Sequence, residues 1–380
     1  MIRVVADDRI PFLKGALDDV VRVEYIPGSL ITRADLRDAD ALIIRTRTLC
    51  NRDLLEGTAV RYITSATIGT DHIDTEYCDQ AGIGFANAPG CNSSSVEQYM
   101  ISVLLWLAAE RDLDLTSLTL GIIGAGNVGS KVERAAGVLG IKVLVNDPPR
   151  QKREGGMQFV ELDDLLGASD IISLHVPLNR GGKDNTFHMV DDSFIGKTGK
   201  GVILVNTSRG PVVNERSLRN WIRSGHLSGV VLDVFDNEPD INQDLLDMII
   251  LGTPHIAGYS LDGKASGTTM AVRSVSRFFG LGLDEWSPGS IPAPDNRALY
   301  MDAADGTDPG LLWELYRQTY DVTADDRSLR EDPGAFEMLR GNYPPRREPP
   351  AYDVRVFQGD PEIAGILEGL GFSVLSDHCV

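Results

Sequence analysis

One stretch constrains this chain more than any other: the apolar run TLGII, the loop Gly124-Ala125-Gly126-Asn127-Val128-Gly129, and the helix-favouring SKVERAAGVLG that follows. A second apolar run, IKVLVND, completes a βαβ unit and ends on Asp147. A bare GxGxxG is weak evidence, but in this setting it reads as a dinucleotide-binding fingerprint. Its first glycine permits the tight turn, its second lets the backbone approach a pyrophosphate, and its third lets helix and strand pack closely. The anion would face the helix N-terminus. The Asp147 carboxylate suits the adenosine ribose hydroxyls and repels a 2′-phosphate, which selects NAD over NADP, although Arg150 stands close by in sequence. Gly124, Gly126, Asn127, Val128, Gly129 and Asp147 are therefore the expected cofactor contacts.

The βαβ unit opens a series. DIISLHVPL, GVILVNTSRG, SGVVLDVF and MIILGTP are apolar runs of the kind that parallel strands buried on both faces show, which makes six strands in all. Upstream, IRVVA, ALIIRT, RYITSAT and GIGFANA alternate with helical patterns and predict a second parallel sheet. A helix over Ser94 to Arg111, introduced by ANAPGCNSSS, joins the two, and a helix over Lys264 to Gly280 returns to cover the first domain.

The Pro- and Gly-rich WSPGSIPAPDN reads as a linker to a third unit. That unit has helices near Pro309 to Tyr320, Ala335 to Tyr343 and Pro361 to Leu370, and strands in YDVRVFQ and FSVL. So small a core gains from packing on a partner, so the unit is expected to dimerise the chain. The predicted fold class is α/β: two doubly wound parallel-sheet (Rossmann/flavodoxin-like) domains plus a small C-terminal α+β dimerisation domain. The boundaries are 1–93 with 259–286 for the substrate-binding domain, 94–258 for the NAD-binding domain and 287–380 for the dimerisation domain.

A net charge of -19 excludes nucleic acid as the main partner, because nothing is gained from counterion release. An anionic substrate would need local Arg or N–H donors to overcome that field. No run reaches the ~20 apolar residues of a membrane span, and the N-terminus lacks a secretory signal. The four cysteines show no metal-site spacing, which fits a reducing cytoplasm and no bound metal. His378 and Cys379 read as a frayed tail.

Three residues at predicted strand ends could perform redox chemistry on a hydroxy acid. Arg209, in NTSRG, offers a fork of donors that matches a carboxylate. His255, in TPHIAGY, suits general acid/base work. Glu238, in DVFDNEP, could bond the far nitrogen of His255 and fix its tautomer, although an acid before Pro is common in turns.

On these residues the chain resembles the D-isomer-specific 2-hydroxyacid dehydrogenases, in order and in local motif. The resemblance spans nearly the whole chain. Longer matches in ATIGTDHID, NAPGCNSSSVEQY, NDPPR, TPHIAGYSLDGKASGTT and the C-terminal tail point to a branch acting on a phosphorylated four-carbon hydroxy acid. The resemblance implies cytoplasmic homodimers, substrate contacts from Thr46, Thr67 and Tyr259, and NAD contacts from Asp147, Thr207, Asp233 and Gly258. Thr46 stands where the branch usually has Ser, which keeps the hydroxyl, and Ile68 departs from the branch pattern. For the phosphate, Arg45 and Arg47 flank Thr46. Arg346 and Arg347, which could arrive from a neighbouring subunit, read as phosphate ligands or, at least as well, as a solvated basic cluster. The same residues leave open a 3-phosphoglycerate dehydrogenase, a general D-2-hydroxyacid dehydrogenase and, remotely, an NAD-binding corepressor.

Overall fold

The computed structural model describes residues 1–156, 158–303, 308–357 and 361–375; His378 and Cys379 lie outside them. Tertiary contacts divide the chain into two compact units, Met1–Asn92 with Tyr259–Pro292 and Ser93–Gly258 with Ala293–Val380.

The first unit holds a five-stranded parallel sheet of β1 (Arg3–Asp7), β2 (Arg22–Ile26), β3 (Ala41–Ile44), β4 (Tyr62–Ser65) and β5 (Gly84–Ala86), in the order β2-β1-β3-β4-β5. β3 and β4 are buried throughout, which explains their legibility as apolar runs. β2 escaped the sequence reading because RVEYI is an edge strand without a fully buried residue. The Leu261–Phe279 helix packs on this sheet through Ala271, Val272 and Val275. Ser260 caps it by accepting a hydrogen bond from the Gly263 amide at 2.8 Å.

The second unit carries six parallel strands: β6 (Thr119–Ile123), β7 (Lys142–Asn146), β8 (Ile171–Leu174), β9 (Ile203–Asn206), β10 (Gly229–Leu232) and the two-residue β11 (Leu251–Gly252). Their order is β7-β6-β8-β9-β10-β11. The strand order therefore reverses at β6, and the crevice beyond the carboxyl ends of β6 and β8 is where such a sheet accepts a ligand.

The small C-terminal domain expected from the sequence is present, and contacts group it, from Ala293 on, with this unit. This domain carries a third sheet, β12 (Ala298–Asp302), β13 (Asp353–Phe357) and β14 (Ser373–Leu375), in that order and all parallel. β12 and the Val322–Glu331 helix had no counterpart in the sequence reading.

The Ser93–Arg111 helix is buried around most of its circumference. Its polar residues are served from the tail. Ser95 donates to Glu348 at 2.9 Å, the Gln98 amide to the Arg347 carbonyl at 3.0 Å, and Ser102 to the Tyr320 carbonyl at 3.0 Å. An all-round buried helix carrying these side chains would be unstable without such partners.

Candidate active site

The glycine loop sits at the strand-order reversal. Gly124 has φ +91°, and a Cβ there would lie 2.6 Å from the His175 carbonyl oxygen at the end of β8. A Cβ at Gly129 would collide with the Gly124 carbonyl, so the helix that starts there, Gly129–Val138, can approach β6 only without one. A Cβ at Gly126 would meet nothing within 4 Å. The loop is thus closed on the protein side at two glycines and open on the outer side at the third. That is the shape a pyrophosphate needs, with Asn127 exposed beside it and Val128 at the helix N-cap.

Asp147 binds this loop to the end of β7. Its carboxylate accepts from the Ala125 amide at 2.8 Å and, as N-cap of the Pro148–Glu154 helix, from the Arg150 amide at 2.8 Å. The Arg150 side chain is engaged by Glu154 at 2.8 Å, the Ala125 carbonyl at 2.7 Å and Ser130 at 2.8 Å.

Three loops that follow β9, β10 and β11 carry the expected catalytic residues Arg209, Glu238 and His255. Asn206, fully buried, accepts from the Ser208 amide and donates to the Arg209 carbonyl, both at 3.0 Å. These bonds turn the chain so that Arg209 leaves the sheet end, its Nη1 donating to the Ser208 carbonyl at 2.8 Å. A Cβ at Gly210 would strike the Phe235 carbonyl, so only glycine lets the Arg209 loop lie against the Glu238 loop. Glu215 adds a second tie by accepting from the Asp236 amide at 2.9 Å.

Glu238 and His255 meet there. Glu238 Oε1 accepts from the Phe235 amide at 3.0 Å, and Oε2 lies 2.7 Å from Nδ1 of His255. Burial opposes ionisation of Glu238, but the His255 contact, the Phe235 amide and the charge of Arg340 together outweigh it and hold the carboxyl below its ordinary value. His255 itself adopts φ +55°, an unfavourable backbone for a residue with a Cβ, and the fold restrains it. The buried Asp233 carboxylate accepts from the Ile256 amide at 2.8 Å, the Ala257 amide at 3.0 Å and the Thr253 hydroxyl at 2.7 Å.

Among the expected cofactor contacts, Asp233 thus directs these bonds inward to the His255 loop. Thr207 stands 3.3 Å from Nδ1 of His175, whose other nitrogen lies 2.9 Å from Ser173. Burial pushes His175 down to about 4, so it is a neutral hydrogen-bonding group beside the glycine loop. No sequence pattern singled out His175, Asn206 or Gly210.

A family model for the NAD-binding domain of D-isomer specific 2-hydroxyacid dehydrogenases matches residues 102–257. A second, for a domain of unknown function (DUF3410), matches residues 291–371. An erythronate-4-phosphate dehydrogenase from Bacteroides fragilis is 45% identical over 354 residues, 93% of this chain and 99% of that protein. The same-named protein of Cronobacter sakazakii is 39% identical over 375 residues, covering 98% of each. This chain belongs to the erythronate-4-phosphate dehydrogenase family.

Its solved neighbours include a D-lactate dehydrogenase from Aquifex aeolicus complexed with NAD and lactic acid, with 28% identity and a TM-score of 0.62, covering 77% of this chain and all of that one. NAD is the cofactor of this erythronate-4-phosphate dehydrogenase family member, and the open face at Gly126 and the Asp147 carboxylate fit it.

In the first unit of this dehydrogenase, Thr46 and Arg47 are exposed after β3, and Arg45 is held by the buried Asp7 through contacts of 3.0 and 3.3 Å. Thr67 shares a hydrogen bond of 2.8 Å with Ser65, and the Tyr259 ring has the Lys264 ammonium 4.9 Å from its centre. Arg346 corrects the reading of a solvated or phosphate-facing pair, because it is 5% exposed and donates to the Ala257 carbonyl at 2.6 Å. Arg347 is half-buried beside it. No helix among the described residues is long and apolar enough to cross a membrane, and no His/Cys/Asp/Glu group among them could hold a metal.

Proposed function

We propose that this dehydrogenase oxidises 4-phospho-D-erythronate at C2 to (R)-3-hydroxy-2-oxo-4-phosphooxybutanoate, a step of pyridoxal 5′-phosphate (vitamin B6) biosynthesis. The reading rests on 45% and 39% identity to erythronate-4-phosphate dehydrogenases over nearly the full length of the chain, and on the C-terminal match. Bound NAD would supply the redox step by taking the hydride from C2.

The remaining work falls to side chains. An ionised Glu238 accepts a hydrogen bond from Nδ1–H of His255, which leaves Nε2 as the basic nitrogen. Nε2 takes the proton of the C2 hydroxyl, and Glu238 offsets the positive charge that the imidazole then carries. Arg209 presents its guanidinium to the substrate carboxylate. Thr46, Thr67, Tyr259 and Arg45 bind the rest of the substrate, with Asp7 orienting Arg45. Gly124, Gly126, Asn127, Val128, Gly129 and Asp147 hold the dinucleotide, with Thr207, Asp233 and Gly258 completing the set.

The enzyme works as a cytoplasmic homodimer joined through the C-terminal sheet. One face of that sheet leaves Tyr300, Phe357 and Leu375 exposed, with the Tyr300 and Phe357 rings stacked 6.2 Å apart. Apolar side chains so grouped mark an association surface. Light scattering on Tyr300→Glu should report monomer where the native chain reports dimer, and a native monomer would remove the assignment.

The substrate is tested by following NADH formation with 4-phospho-D-erythronate, 3-phospho-D-glycerate and D-lactate, together with the reverse reaction on the keto acids. Preference for the four-carbon phosphate supports the proposal. Preference for another acid keeps the chemistry and changes the substrate, while bound NAD with no turnover on any of them removes the enzymatic reading.

A further inference from the structure

Arg346 is a cation that packing alone does not explain. Besides its bond to Ala257, Nη2 makes longer contacts with the carbonyls of Ile256 at 3.4 Å and Ser95 at 3.5 Å. Nε and Nη1 are buried without a hydrogen-bond partner. The guanidinium carbon lies 4.2 Å from the centre of the Tyr320 ring and 5.8 Å from that of Tyr343. The hydroxyls of those tyrosines both donate to Asp325, at 2.9 and 2.8 Å. Burying a guanidinium with two nitrogens unsatisfied costs stability, and an apolar side chain would fill the space more cheaply.

The place of the contacts supplies a reason for the cost. Ile256 and Ala257 directly follow His255, and Asp233 already holds their two amides. The same two residues are therefore held through both kinds of backbone group, their N–H groups by a carboxylate and their carbonyls by a guanidinium. Thr253, on the other side of His255, is tied to both Asp233 and the buried Tyr99 hydroxyl, at 2.7 and 2.9 Å. The backbone so clamped carries His255 at φ +55°, and the aim of its ring at Glu238 depends on that backbone.

We propose that Arg346, from the C-terminal domain, is a positioning residue that holds the His255 loop in its productive geometry. The C-terminal segment then completes the active site of its own chain in addition to any part in association. This assignment rests on His255 being the proton acceptor.

The test uses full-length Arg346→Met and Arg346→Lys, each alone and combined with His255→Asn. Turnover, KM, NAD affinity by fluorescence titration and the thermal midpoint are measured for each. Arg346→Met should lower kcat by roughly 10- to 100-fold, the loss expected when a catalytic group is displaced by about 1 Å. KM and NAD affinity should stay within about twofold of native. Arg346→Lys, which keeps the cation but not the fork, should fall between the two and serves as the readout if the Met variant does not fold.

On the His255→Asn background either change should cost no further turnover, because the group being positioned is gone. Equal fold-losses on both backgrounds, or an unchanged kcat, would overturn the positioning role while leaving the proposed chemistry intact. A His255→Asn enzyme as active as the native one would overturn the proton-acceptor role and this inference with it.

Discussion

Nδ1 of His255 lies 2.7 Å from Oε2 of Glu238, and the other carboxylate oxygen of Glu238 is bound by the Phe235 amide at 3.0 Å. Both oxygens are therefore committed, one to the loop that carries the carboxylate and one to the imidazole. The pair is a preset unit, with side chains 31% and 18% exposed, at the rim of the protein interior.

Removing the imidazole should stop proton transfer without emptying the cofactor site. His255→Asn is expected to lower kcat by about 10²- to 10⁴-fold. NAD affinity, measured by quenching of protein fluorescence, should be close to native; turnover within about twofold of native would end the acid/base role.

Acid should reveal the Glu238 contact as stability. Its carboxyl lies below its ordinary value of 4.5, so the contribution is complete above 4.5 and is lost as pH falls through the lower folded value. The difference in thermal midpoint between the native protein and Glu238→Gln should be largest near neutrality and shrink below about pH 4.5. A difference that grows on acidification would contradict the assignment of the shift to the His255 contact.

The glycine loop offers a contrast between folding and binding. Gly129→Ala places a methyl against the Gly124 carbonyl and Ile122, and should destabilise the fold by about 1–3 kcal/mol. Gly126→Ala meets nothing within 4 Å and should leave the thermal midpoint unchanged while weakening NAD binding by about tenfold or more. Calorimetry and NAD titration on the two variants decide it. Native NAD affinity in Gly126→Ala would show that the open side of the loop does not face the dinucleotide.

Asp147 has a structural role as well as the proposed one. Asn is as good an N-cap as Asp, so Asp147→Asn should keep the hydrogen bond from the Arg150 amide. Losing a charged acceptor should weaken NAD binding by about 10- to 100-fold and narrow the preference over NADP. Competition between the two cofactors measures this directly, and unaltered discrimination would remove the carboxylate from the ribose.

The sequence by itself determined what local pattern and covalent order can encode. Parallel strands buried on both faces, such as Ile171–Leu174 and Ile203–Asn206, are continuous apolar runs, and a glycine loop between strand and helix has a fixed spacing. Arg209, Glu238 and His255 stood out because each follows such a run. β2 and β12 did not, because an edge strand or one with a half-exposed face lacks that signal.

Only the tertiary structure decided which distant groups hold these residues in place. Gly210 is required because of the Phe235 carbonyl, Asp233 points inward because the amides after His255 are there, and Arg346 is buried because the carbonyls of 256 and 257 receive it. These partners lie tens of residues apart in the chain, 24 for Asp233 and Ala257 and 89 for Arg346 and Ala257. No periodicity or propensity links positions so separated. Their pairing follows from the strand order of one sheet and from a tail that folds back onto the same unit.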